Sequence, residues 1–83
     1  MKNKRRAQII HANARAVERV GIIFSEKKNE EVVKMIQDKQ AVFVRRQSKR
    51  VSIWDVCFEG TEMRVAYDKD RKVIVTVMTK DMQ

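Results

Sequence analysis

Proline is absent, glycine occurs twice, and cysteine and histidine occur once each. Each scarcity removes a class of explanation. A single cysteine, Cys57, excludes an internal disulfide and a cysteine-built zinc site. Its place in an apolar run marks it as a buried small hydrophobe. A single histidine, His11, leaves no paired-histidine chemistry. There is no glycine-rich phosphate loop, metal-ligand cluster or nucleophilic triad, which argues against nucleotide hydrolases, zinc proteins and proteases. No cofactor or metal is expected. No apolar run reaches the length needed to span a bilayer. The stretch from Ala7 to His11 is too short and too polar at its flanks for a signal peptide, so a cytoplasmic location without membrane contact is expected. Repeats and low-complexity segments are also missing. With no proline, punctuation falls to Gly21, Gly60 and the polar turns.

What the chain has in excess is positive charge. Nineteen lysines and arginines face eleven acids, a formal charge of +8 on 83 residues. That balance favours a polyanionic partner, with nucleic acid the commonest and an acidic inhibitor protein attracted equally. Hydrophobic residues make up 43% of the chain, enough for one core and too many for a disordered tail. One domain is expected over 1–83: a basic arm at 1–6, helices over 7–39 and a sheet over 41–79.

The periodicity supports that division. A helix is predicted from Ala7 to Val20, with Ile9, Ala12, Ala16, Val17 and Val20 on its apolar arc and Gly21 as its stop. Ile22, Ile23 and Phe24 form an apolar bridge to the core. Ser25 is a good N-cap for a second helix over Glu26–Lys39, in which Val32, Val33, Met35 and Ile36 are the buried stripe. From Ala41 the period changes to that of strands: Ala41–Arg46, Val51–Phe58, Glu62–Tyr67 and Val73–Thr79. In the second strand Val51, Ile53 and Cys57 share one side, and Trp54, Val56 and Phe58 the other. Phe24, Phe43 and Phe58 are assigned to the core, as is Trp54 in preference to base stacking. Short turns imply an antiparallel meander. The fold class is α+β: two N-terminal helices packed on a four-stranded antiparallel sheet.

The stretch Ile9–Val20 carries the most specific chemical signal. His11, Arg15 and Arg19 recur every four residues and so share one helical stripe beside Glu18. An imidazole titrates near neutrality, and guanidiniums hold phosphate. Metal-free RNA cleavage needs a base for the ribose 2′-hydroxyl, an acid for the leaving oxygen, and cations for the phosphorane charge. His11 can supply one proton-handling role. The second must come from Tyr67, Lys4, an arginine, Glu18 or solvent. The plain alternative is a solvated helix face, with the arginines in weak surface pairs to Glu18, Glu30 or Glu31. Lys4, Arg5 and Arg6 at the start, and Arg45, Arg46, Lys49 and Arg50 at the first hairpin tip, are candidate backbone contacts. Equally, they fit a solubilising tail and a charged turn that guards a sheet edge.

The segments His11-Ala12-x-x-Arg15-x-x-x-Arg19, Gly21-Ile22, Arg64-Val65-Ala66-Tyr67-Asp68 and Val73-Ile74-Val75-Thr76-Val77 resemble a family of small bacterial and phage domains. That family is related to the BrnT-type and RelE-type toxins and, more remotely, to the nuclease domains of colicins. The resemblance spans roughly residues 9 to 79, with no signature over about 38 to 60. The family pattern places glycine directly after the second arginine, whereas Val20 intervenes here. The resemblance implies a RelE- or barnase-like fold and RNA cleavage without a metal. It also implies a catalytic set of His11, Arg15, Arg19, Tyr67 and Thr76. RNA, free or held on the ribosome, and an acidic antitoxin or inhibitor protein are the partners it implies. Two functions are therefore expected as alternatives: a metal-independent endoribonuclease, and a non-catalytic basic module that docks on nucleic acid or a host protein.

Overall fold

The computed structural model describes residues 4–79; the basic start at 1–3 and the polar end at 80–83 lie outside the described residues. Two helices are followed by four strands: α1 Lys4–Val20, α2 Glu26–Gln37, β1 Val42–Arg46, β2 Val51–Phe58, β3 Thr61–Asp68 and β4 Val73–Met78. The strands form one antiparallel sheet in the order β1-β2-β3-β4, the expected meander.

Local chemistry explains most boundaries. The expected arm at 4–6 is instead helical, since α1 begins at Lys4. Lysine and arginine are good helix formers, and Arg5 reaches Glu26 at 3.6 Å, which offsets cations at the positive end of the helix dipole. Gly21, at φ 75°, ends α1 with its N–H on the Ala16 carbonyl. Ser25 caps α2, its hydroxyl accepting from the Lys28 N–H. That helix stops at Gln37, two residues early, because Lys39 turns left-handed and the Gln40 N–H closes on the Met35 carbonyl. Between β2 and β3, Glu59 and Gly60 both have positive φ, as a two-residue turn with right-handed strand twist requires.

Both helices cover one sheet face. Ala12 and Ala16 of α1, Phe24, and Val32, Val33 and Ile36 of α2 meet Val56, Phe58, Met63, Val65, Tyr67, Ile74 and Val77. Phe24 and Phe58 pack edge to face at 6.1 Å. The other face carries a smaller cluster, Ile53, Ala66 and Met78 with Val44, Val51 and Val75 around them, all supplied by the sheet. The split of β2 between the two faces is the one expected.

Four apolar assignments are corrected. Phe43 is half exposed because β1 is an edge strand, where it leans on the ring of Trp54 at 5.3 Å. Cys57 is exposed because it alternates onto the face that no helix covers. Val17 is half exposed because the buried stripe of α1 is Ile9, Ala12 and Ala16, and Val17 points off it. Ile23 is likewise exposed, leaving Phe24 and the half-buried Ile22 to make the bridge.

α1 lies along β4, the far edge of the sheet. The Gln8 amide donates to Asp68 near one end of α1, and Arg19 donates to the Val77 carbonyl near the other. The β3–β4 ladder shifts register there: Ala66 pairs with Thr76 and Tyr67 with Ile74, so Val75 is the extra residue of a bulge. Asn29, buried in α2, holds the bulge. Its Oδ1 accepts from the Ile74 N–H and its Nδ2 donates to the Ile74 carbonyl, both at 3.0 Å.

Candidate nucleic-acid interface

Asp68 closes β3 and is 1% exposed. Its Oδ1 accepts from the backbone N–H groups of Asp70 and Arg71, at 3.0 and 3.2 Å, which shapes the turn into β4. Its Oδ2 receives the Arg71 guanidinium at 3.0 Å and the Gln8 amide at 3.3 Å, with Arg50 Nε at 3.9 Å. Burial alone would raise the pKa of this carboxyl. The Arg71 N–H, the Gln8 and Arg71 side chains and the Asp70 N–H outweigh burial and hold it below the usual carboxylate range.

One carboxylate thus gathers three separate elements: the β1–β2 turn through Arg50, the β3–β4 turn through Arg71, and α1 through Gln8. The Lys69 N–H on the Arg50 carbonyl fastens the two turns a second time. The cations of those elements come together as a result. Arg46, Lys49 and Arg50 stand on the first turn, with the Arg46 guanidinium on the Lys49 carbonyl. Lys69, Arg71 and Lys72 stand on the second. Lys4, Arg5 and Arg6 lie within one helical turn of Gln8. Set against them are Asp68, Asp70 and, through its pair with Arg5, Glu26. The expected contacts Lys4, Arg5, Arg6, Arg46, Lys49 and Arg50 are therefore brought to one end of the molecule. Arg45 belongs elsewhere: it pairs with Ile53 in the ladder and so lies over the helix-free face. Lys69, Arg71 and Lys72 were not picked out from the sequence; as a spaced set in a polar turn they look like any solvated loop.

His11 opens onto a depression of 370 Å³ between α1 and β4, lined by Ala7, Gln8, His11, Val75 and Thr76. His11 and Thr76 are thus brought together. Tyr67 is not. It is buried on the helix-covered face among core side chains, while Thr76 pairs with Ala66 of the opposite face. The expected role of Tyr67 as a proton partner is corrected accordingly: the bulge at Val75 lets β4 bend, but the alternation of β3 sends Tyr67 inward. Arg15 and Arg19 are already engaged, Arg15 with Glu18 at 2.8 Å and Arg19 with the Val77 carbonyl at 3.2 Å. Arg15 remains more than a third exposed, so its pair is a weak surface one. Arg19 serves structure, tying the end of α1 to the sheet.

A second ion pair lies on the helix-free face. Arg64 meets Asp55 through two bonds, at 2.8 and 3.1 Å, across β2 and β3. The hydrogen bond to Asp55 holds the Arg64 pKa above its ordinary value, against a smaller opposing effect of burial.

Among the described residues no group of three or more histidine, cysteine or acidic side chains is placed to hold a metal, and no helix is long and apolar enough to cross a membrane. Comparison with protein-family models, with curated proteins and with solved structures finds no match for this chain, so the site stands on its own geometry.

Proposed function

We propose that this protein binds RNA through the cationic end built around Asp68. One observation supports the reading above the others: Asp68 joins two hairpin turns and α1, so that cations from three elements present themselves together. Phosphate contacts dominate nucleic-acid affinity and release counterions, so binding should weaken steeply with salt. Lys49, Lys69 and Lys72 are exposed, and replacing them leaves the Asp68 contacts in place. Changing all three to glutamine should flatten the slope of log affinity against log salt by about 2, at roughly 0.7 per lost phosphate contact on a single strand. Fluorescence anisotropy with a labelled single-stranded RNA at 50–200 mM salt reads the slope. Binding that ignores salt, or an unchanged slope in the triple variant, rejects the proposal.

Cleavage of that RNA by 2′-hydroxyl attack, as in a RelE- or BrnT-like toxin, is the second reading. What favours it is His11 beside Thr76, one helical turn from the cationic end. What weakens it is the company His11 keeps, for Ala7, Gln8, Val75 and Thr76 are not proton carriers near neutral pH. Digestion of RNA by the wild type and not by His11→Ala would establish it; equal inertness leaves a binding module that acts on RNA or, through an acidic partner, on a host protein.

A further inference from the structure

We infer that the depression between α1 and β4 seats one unpaired nucleobase of a single-stranded RNA, its flanking phosphates falling to Lys4 and Arg15; this rests on the RNA-binding reading above. At 370 Å³ the depression lies near the lower bound of small-ligand sites. Its walls are Ala7 and Val75, the imidazole of His11, the Thr76 hydroxyl and the Gln8 side chain, and among the described residues no lysine or arginine lines it. A phosphate meets no cation there among the described residues. A flat ring with polar edges fits it: it lies against the imidazole and aliphatic carbons, and its edge meets the Thr76 hydroxyl.

Cations stand on both sides of the seat. Lys4 precedes Gln8 by four residues, and Arg15 follows His11 by four, so each is a helical neighbour of a lining residue. The pair of Arg15 with Glu18 is exposed and exchanges readily for a phosphate. An apolar seat bracketed by charge along one helix face suits a strand whose backbone runs past while one base turns inward. A duplex cannot use it, because its bases are stacked inside and only groove edges are offered. The seat is also rigid. Gln8 is anchored on Asp68, and Val75 is fixed by the bulge that Asn29 clamps.

The test uses three probes of the same length: a single-stranded RNA of about ten nucleotides, its abasic counterpart, and the blunt duplex. The intact strand should bind about tenfold tighter than the abasic one, the lower part of the range for a base set on a side-chain face. Ala7→Gln, at an exposed helical position, should abolish that difference and leave abasic affinity unchanged. The ring signal of the only histidine should shift with intact RNA and stay put with abasic RNA. Equal affinity for intact and abasic strands, or equal loss of both in Ala7→Gln, overturns the base seat while leaving salt-dependent RNA binding intact. Salt-dependent binding to none of the three probes overturns the RNA reading itself.

Discussion

Replacing Asn29 with alanine is the sharpest test of how this fold holds its site. Asn29 is 1% exposed and Ile74 fully buried, and the two residues exchange both hydrogen bonds at 3.0 Å. Alanine leaves the Ile74 N–H and carbonyl without partners inside the core. Each stranded group costs about 1–3 kcal/mol. Water entering the vacated space recovers part of that, so a loss of about 3 kcal/mol is expected. A domain of this size is stable by roughly 4–12 kcal/mol, so the variant should fold but stand close to its limit. With a urea m-value of about 1 kcal/mol/M, the midpoint should fall by about 3 M, read from the fluorescence of the single Trp54. Asn29→Asp adds a sign test. Its buried carboxyl has a folded pKa above the unfolded value, so it is tolerated when protonated and costs stability as pH rises through the folded pKa. It should therefore lie nearer to wild type at pH 4 than at pH 7. A midpoint shift below about 0.5 M for Asn29→Ala, or no pH dependence for Asn29→Asp, would refute the argument that this side chain satisfies the strand.

Asp68 predicts the opposite pH sign. Its folded pKa lies below the unfolded value near ~3.9, so its share of stability is present above that value and disappears as pH falls through the folded pKa. Urea midpoints for wild type and Asp68→Asn should converge as pH falls below the unfolded carboxylate value, and a gap that stays constant on acidification would contradict the assignment. Glu59 occupies a left-handed position at φ 53° that asparagine adopts more easily. Glu59→Asn should gain about 0.5 kcal/mol in thermal or urea unfolding, net of the exposed pair with Lys28; a loss of 1 kcal/mol would mean that pair is worth more than surface pairs are.

The elements that the sequence made plain are those set by repeating side-chain patterns. β2 reads as two apolar faces because its alternation is strict, and those faces are the ones found. α1 and α2 read from their stripes. What stayed hidden depends on contacts between distant positions. Asn29 sits in Glu26-Lys27-Lys28-Asn29-Glu30 and looks like a surface amide; only the bulge in β4, invisible in composition, makes it a core partner. Asp68 looks like one more charge in a polar turn, although it is the residue that three elements share. Phe43 looked like core because its strand was legible while its place at the edge of the sheet was not. His11 and Thr76 line one depression while Tyr67 is buried in the core, a separation that rests on the alternation of strand faces and that a list of polar residues does not show.

The two halves of the proposed interface are coupled through a single side chain. The lowered pKa of Asp68 keeps it ionised, and an ionised carboxylate only accepts hydrogen bonds. Gln8 must then turn its Nε2 toward Asp68, which leaves its Oε1 buried and without a partner among the described residues. A buried acceptor left unpaired is costly. The arrangement follows from position: Gln8 lies where α1 crosses from the cationic end to the depression beside His11, and it touches both. Binding at the cationic end therefore bears on the same carboxylate that orients the wall of the base seat. The proposed charge capture and the proposed base seating would thus draw on one group of residues: Arg50, Arg71 and Gln8 meet at Asp68, and Gln8 lines the depression with His11.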